Sequence, residues 1–300
     1  MLRRSAIKRI IMSSLALVIM LLLCLFPKSD NLSIPEEVIY VDELTMPIYV
    51  MDQNNYVART SVVKKETNDQ IKYIIDTLTI GSINANYLPN GFTGIIPKNT
   101  KLIDYELKDK LLKLNFSKEI LDISSDKEEK LIESLIYSLC ELEGVAKIMI
   151  FIEGESLTKL PKSEKSLPLI LDKSYGINKI YNFDNIKDTS KTTVYYIGKY
   201  NDNLYYIPIT KVTNDKVEPV EVIVNELKST PIYETNLISY LNASYELEDY
   251  EILENSITLS FNNQLLANLH DSDINEKVRY TLSLSLRDTY DIDNIVINLD

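Results

Sequence analysis

The stretch Lys101-Leu-Ile-Asp-Tyr-Glu-Leu107, followed by Leu112-Lys-Leu-Asn-Phe116, decides the fold because it occurs twice. Glu246-Leu-Glu-Asp-Tyr-Glu-Ile252 and Ile257-Thr-Leu-Ser-Phe261 align with its two parts at a constant offset of 145. Downstream the offset becomes 147: Glu129-Lys-Leu-Ile-Glu-Ser-Leu135 meets Glu276-Lys-Val-Arg-Tyr-Thr-Leu282, and Ile148 and Ile150 meet Ile295 and Ile297. Upstream, Ile71, Ile74, Ile75 and Leu78 fall on Val220, Ile223, Val224 and Leu227 at 149. Constant blocks separated by small insertions are what variable loops between fixed elements produce. The chain therefore reads as one domain duplicated.

Periodicity gives the elements of each copy. Pro47 to Met51 and Tyr56 to Val63 flank the polar Asp52-Gln-Asn-Asn55, a hairpin pattern. Ile71, Ile74, Ile75 and Leu78 recur at helical spacing, with Gly81 as a stop. Leu102–Leu107 and Leu111–Phe116 form a second hairpin around Lys108-Asp109-Lys110. Ser125-x-x-Glu128 has capping-box spacing and opens a helix whose apolar rows are Leu131, Leu135, Leu139 and Ile132, Ile136. Gly144 ends that helix, and Val145 to Ile152 is the last strand. The second copy repeats the plan from Thr193, with strands Val194–Ile197 and Leu204–Thr210. Its last helix has the apolar row Ile274, Val278, Leu282 and Leu286, with Asp273 and Glu276 at capping spacing. The fold class is α+β: two tandem copies of a small domain with a sheet packed on two helices. The predicted domains are 46–154 and 193–300. Between them, 155–192 starts as the linker Lys159-Leu-Pro-Lys-Ser-Glu-Lys-Ser166. It continues as an apolar stretch, Leu169 to Tyr181, expected to pack along one domain or across both.

Residues 1–28 read as a targeting segment and 29–45 as a tether. Arg3, Arg4, Lys8 and Arg9 precede an uncharged run from Ile10 through Leu17 and Leu22 to Phe26, at the short end of what spans a bilayer. A cleaved signal peptide would want small residues at a cleavage site, and none follows Leu21. The run reads as an uncleaved signal-anchor. A lipid-modified Cys24 is the lesser alternative, with Leu23 where a lipoprotein box usually has a small residue. Such an anchor keeps the N-terminus in the cytoplasm and places residues 30–300 outside. The first thirty residues carry a net +4 against −12 for the whole, so the rest carries −16. A body that acidic repels nucleic acid and anionic lipid heads.

The inventory excludes most chemistry. One histidine, two cysteines and seven glycines leave no Cys/His zinc cluster, no disulfide framework and little room for phosphate loops. His270 lies in the polar stretch before Asp271-Ser272-Asp273 and reads as an exposed loop residue, and Cys140 reads as a small core residue. Asp104 with Glu106, and Asp249 with Glu251, recur in both copies and each pair shares one face of a strand. Such a pair could serve glycan hydrolysis only if one carboxyl were desolvated, whereas the alternation makes theirs the solvated side. The chain is expected to be no enzyme and to need no cofactor or metal. Tyr195, Tyr196, Tyr205 and Tyr206 make the first strands of copy two either an exposed recognition face or half-buried core. They are the candidate interaction surface.

Three stretches of this sequence resemble a known family. They are Gly94-Ile-Ile-Pro-Lys-Asn-Thr-Lys-Leu102, Glu143-Gly-Val-Ala-Lys-Ile148 and Leu171-Asp-Lys-Ser-Tyr-Gly-Ile-Asn-Lys179. With the duplication, they are similar to the tandem GerM-domain proteins of spore-forming Gram-positive bacteria. Copy two departs from the pattern, with Asn242 where copy one has Pro97 and no glycine before it. The resemblance implies a domain like the ring-building modules of secretion-type complexes. It also implies a non-enzymatic envelope protein of sporulation and germination, its partners being other envelope proteins of the sporulating cell. Peptidoglycan stands as the alternative partner, and self-association into a homo-oligomer stays open.

Overall fold

The computed structural model describes residues 45–65, 69–182, 188–214, 216–229, 236–241, 244–262, 272–292 and 294–299. The anchor run with Ile10, Leu17, Leu22, Cys24 and Phe26, the departing Asn242 and the loop residue His270 lie outside them. Among the described residues no helix is long and apolar enough to cross a membrane.

Alternating apolar residues build Thr45–Met51 (β1) and Val57–Val63 (β2), paired antiparallel. The Asp52 carboxylate closes their turn by accepting the Asn54 and Tyr56 amides, each at 2.8 Å. Gln70–Leu78 (α1) follows, its first turn capped by Asp69, whose side chain accepts the Lys72 amide. Leu102–Lys108 (β3) and Leu111–Phe116 (β4) form the second hairpin. Glu128–Leu139 (α2) then crosses back, so that Lys147–Ile152 (β5) runs parallel to β4, and Glu155–Ser156 (β6) completes a four-stranded sheet. Leu112, Leu114 and Phe116 of β4 are fully buried under Leu135 and Ile136 of α2 in one cluster. Each such side chain contributes roughly 1.5–3 kcal/mol.

Ile180–Asn182 (β7) precedes the second copy: Ser190–Tyr200 (β8), Asn203–Thr213 (β9), Pro219–Lys228 (α3), Leu247–Leu253 (β10), Ser256–Phe261 (β11), Ser272–Tyr290 (α4) and Asn294–Leu299 (β12). The parallel pairing of β11 with β12 reproduces that of β4 with β5. β8 and β9 outrun the expected strands. The tight turn at Asn201, in the left-handed region at φ 52°, keeps their ladder in register from Tyr200↔Asn203 to Ser190↔Thr213.

The expected capping box at Ser125 and Glu128 does not form. Lys127 occupies the N-cap without a side-chain bond, and the Glu128 carboxylate instead accepts the Lys162 and Ser163 amides at 2.7 Å each. The segment read as a linker thus packs on α2, with Leu160 and Leu167 buried.

The two first hairpins join. β2 pairs with β9, giving one five-stranded sheet in which β2, β7 and β8 all pair with β9, and residues 44–300 form one compact unit.

Candidate functional site: the seam between the copies

The seam is built from equivalent positions. On β1, the Tyr49 amide donates to Ser138 Oγ at 2.9 Å, and Ser134 Oγ donates to the Tyr49 carbonyl at 2.5 Å. On β8, the Tyr195 amide donates to Ser285 Oγ at 2.9 Å. Hydroxyls one turn apart on α2, and Ser285 on α4, thus satisfy backbone groups of β1 and β8 that lack a strand partner on that side. Ser134, Ser138 and Ser285 are fully buried for this reason.

Tyr49 and Tyr195 point inward from these positions, and their hydroxyls meet at 2.8 Å. Tyr195 donates onward to Asp288, and the Tyr49 hydroxyl lies 3.4 Å from Glu141. Glu141 and Asp288 are themselves 147 residues apart, equivalent sites after α2 and near the end of α4. Between them stands Lys173 of the connecting segment, its Nζ 2.7 Å from Glu141 and 2.9 Å from Asp288. Arg287 completes the cluster, with Nη2 2.7 Å from Glu141 and Nε 3.3 Å from Asp288. The Asp288 side chain is only 1% exposed. Burial alone would raise its carboxyl; Lys173, Arg287 and the Tyr195 hydroxyl overcome that and hold it below the usual carboxylate range. Two cations against two anions leave the cluster neutral. Removing either acid or either base would strand a buried charge.

A second stitch lies at the sheet seam, where β2 and β9 share the single ladder pair Arg59↔Tyr206. Asn178 fills the gap beside it. Its Nδ2 donates to the Val57 and Pro208 carbonyls at 2.8 Å each, and its Oδ1 accepts the Val57 amide at 3.0 Å. Lys179, beside it, pairs with the buried Glu133 at 2.9 Å.

The tyrosine strands are not an exposed recognition face. Tyr195, Tyr196 and Tyr205 are buried, because both faces of β8 and β9 are covered by helices and by the partner hairpin. Their hydroxyls are committed to Asp288, Glu226 and Asp52. Tyr206 alone is half-buried, its ring 4.8 Å from that of Tyr280. No alternation of apolar and polar residues marks these strands, and two-sided burial accounts for that.

The acid pairs lie on exposed edge strands. Glu106 pairs with Lys113 across β3 and β4 at 2.8 Å, and Asp104 accepts from Asn115 Nδ2 at 2.9 Å. The Lys113 hydrogen bond and charge lower the Glu106 carboxyl. β10 likewise exposes Asp249 and Glu251, opposite Ser260 and Thr258 of β11. On the other face Tyr105, its hydroxyl held by Asp69, and Leu107 remain 39% and 42% exposed, so β3 carries exposed side chains on both faces and is an edge strand among the described residues. Cys140 caps α2 with Sγ 3.5 Å from the Ala146 carbonyl, and burial pushes its thiol up to about 12. A thiol held protonated in this way is a packing group.

The architecture defines a class: two α+β modules of one topology, fused through a common sheet. Residues 47–158 match the Germane family, described as "Sporulation and spore germination". The chain is 24% identical over 258 residues to the spore germination protein GerM of Bacillus subtilis (strain 168), covering 84% of this chain and 70% of that one. The solved tandem GerMN domains of the sporulation protein GerM from Bacillus subtilis share its fold. They superpose with a TM-score of 0.76 at 22% identity, over 85% of this chain and 90% of theirs. The resemblance to the tandem GerM-domain proteins therefore holds across both copies.

Proposed function

We propose that this chain is a non-enzymatic, membrane-anchored extracytoplasmic protein that acts as a scaffold or assembly factor in an envelope complex during sporulation and spore germination. The observation that carries the reading is the neutral, buried cluster of Glu141, Lys173, Arg287 and Asp288. It spends residues of both copies and of the connecting segment on holding the modules in one arrangement. A protein that works by contact gains from this, because two surfaces fixed on one body raise the effective concentration of the second contact. The surfaces so fixed are the equivalent edge strands β3 and β10, acidic and open to pairing with a partner strand. The similarity to a spore germination protein supplies the biological setting, and the basic-then-apolar N-terminus supplies the anchor.

The test is recovery of partners by the tagged full chain from membranes of sporulating cells. Co-purification of envelope proteins, lost when β3 carries Tyr105→Lys, is the expected result; recovery of none counts against the reading. Incubation with purified sacculi tests the peptidoglycan alternative. Release of muropeptides that disappears with Asp104→Asn would favour that alternative.

A further inference from the structure

Arg59 is the anomaly of the seam. It is 9% exposed, and among the described residues no carboxylate lies within 4 Å of its guanidinium. Its Nη1 donates to the Tyr280 hydroxyl at 2.8 Å, while Nε is buried without any partner. Its guanidinium lies 5.6 Å over the Tyr280 ring, and Glu141 acts on it from beyond ion-pair distance, so a buried cation is here only partly compensated, and burying one costs several kcal/mol. Arg59 lines a groove of about 520 Å³ between β2, β9 and α4. Glu276 and Lys277 line it with opposite charges, and Arg59 is the buried cation among the described lining residues. The rest of the lining supplies hydroxyls, from Thr60 and Ser61, and the tilted ring pair Tyr206 and Tyr280.

We propose that this groove binds a sugar bearing a single carboxylate, with the carboxylate on Arg59 and the ring against Tyr206 and Tyr280. A guanidinium matches the planar carboxylate fork, aromatic faces suit the C–H side of a sugar, and hydroxyls suit its polar edge. One buried cation without an ion pair favours a monoanion; a dianionic phosphate would meet Glu276 and a body that carries −16 beyond residue 30. The site is separate from the edge strands and does not depend on the scaffold reading.

Saturation-transfer NMR on the full chain in detergent tests it with N-acetylmuramic acid and N-acetylglucosamine, which differ by the lactyl carboxylate. The expected result is saturation of N-acetylmuramic acid at least tenfold above that of N-acetylglucosamine, abolished by Arg59→Met and weakened by Arg59→Lys. Equal saturation of both sugars, or a difference that survives Arg59→Met, would overturn the proposal. Competition by an acetylated aspartyl peptide at tenfold lower concentration would reassign the groove to a protein carboxylate and overturn the sugar. A second readout needs no ligand. Arg59→Met gives up the Nη1 bond to Tyr280 together with the buried charge, so its melting temperature should stay within a few degrees of the parent; a larger fall would make Arg59 a structural residue and overturn the site.

Discussion

The Tyr49 and Tyr195 hydroxyls, 146 residues apart in sequence, lie 2.8 Å from each other in the buried centre of the seam. Each comes from the same position of its own copy, so the pair marks the place where the duplication meets itself. Tyr195→Phe deprives both Asp288 and Tyr49 of a partner and should cost about 1–3 kcal/mol. Tyr49→Phe should cost less, since Tyr195 keeps Asp288. The double variant should fall short of the sum by about 0.5 kcal/mol or more. Urea unfolding of the three variants measures this, and strict additivity would deny the contact.

Lys173 holds the same centre from the connecting segment. Lys173→Met leaves Glu141 and Asp288 facing each other with Arg287 alone between them. Breaking a buried pair in this way costs roughly 3–5 kcal/mol. The matched Lys165→Met, which removes an exposed pair with Glu129, should cost no more than about 1 kcal/mol. A similar loss for both variants, by thermal unfolding, would demote the seam cluster to surface electrostatics.

The seam cluster also sets a pH dependence. Asp288 is held below its ordinary range, so its contribution is fully present above an unfolded value of about 3.9 and is lost as pH falls through the lower folded value. Burial alone would lower Lys173; Asp288 and Glu141 overcome that and raise it. Its contribution is fully present below about 10.4 and is lost as pH rises through the folded value. Glu133 acts in the opposite sense, since burial raises its carboxyl and stability declines as pH climbs from about 4.3. Asp288→Asn should therefore flatten the acid limb below pH 4 and leave the Glu133 limb in place, as melting temperatures across pH would show.

Much of this was legible in the chain and the seam was not. The 145 and 147 offsets located β3, β4, α2 and β5 with their partners β10, β11, α4 and β12, because each block carries its own apolar period. They also aligned Glu141 with Asp288, yet no period tells that two acids 147 apart share one lysine. Ser125 and Glu128 show the opposite failure. The local motif was present, but tertiary structure spent the Glu128 carboxylate on the Lys162 and Ser163 amides. The tyrosines of β8 and β9 misled for a related reason: their burial comes from β2 and the helices of both copies, which no single window contains.

Gly94 gives the family-like motif a physical reason. The Leu78 carbonyl, at the end of α1, accepts the Ile95 and Ile96 amides at 2.9 Å each, which brings the backbone of residue 94 against it. A Cβ on Gly94 would sit 2.4 Å from that carbonyl oxygen, and backbone on both sides cannot yield cheaply. Gly94→Ala should cost about 1–3 kcal/mol as an overpacking strain, whereas Gly144→Ala meets nothing within 4 Å and pays only for its positive φ. Equal melting temperatures for the Gly94 variant and the parent would remove the steric argument.

Leu114 and Leu259 are equivalent, fully buried residues of β4 and β11 in two different core clusters. An aspartate at either position puts a carboxylate into an apolar layer without a partner, costing several kcal/mol. How the loss shows depends on the seam. If the shared sheet and the Lys173 cluster couple the copies into one cooperative body, Leu259→Asp and Leu114→Asp each lower a single transition, and the signal from either copy moves with it. If the copies unfold separately, Leu259→Asp leaves a transition of the first copy at the parental temperature. Calorimetry distinguishes the outcomes, since a cooperative body gives a van't Hoff enthalpy equal to the calorimetric one. The expected result is one transition in both variants, because Tyr195 packs in the core cluster of copy one and Ala58 in that of copy two. Neither core is complete without a residue from the other half of the duplication.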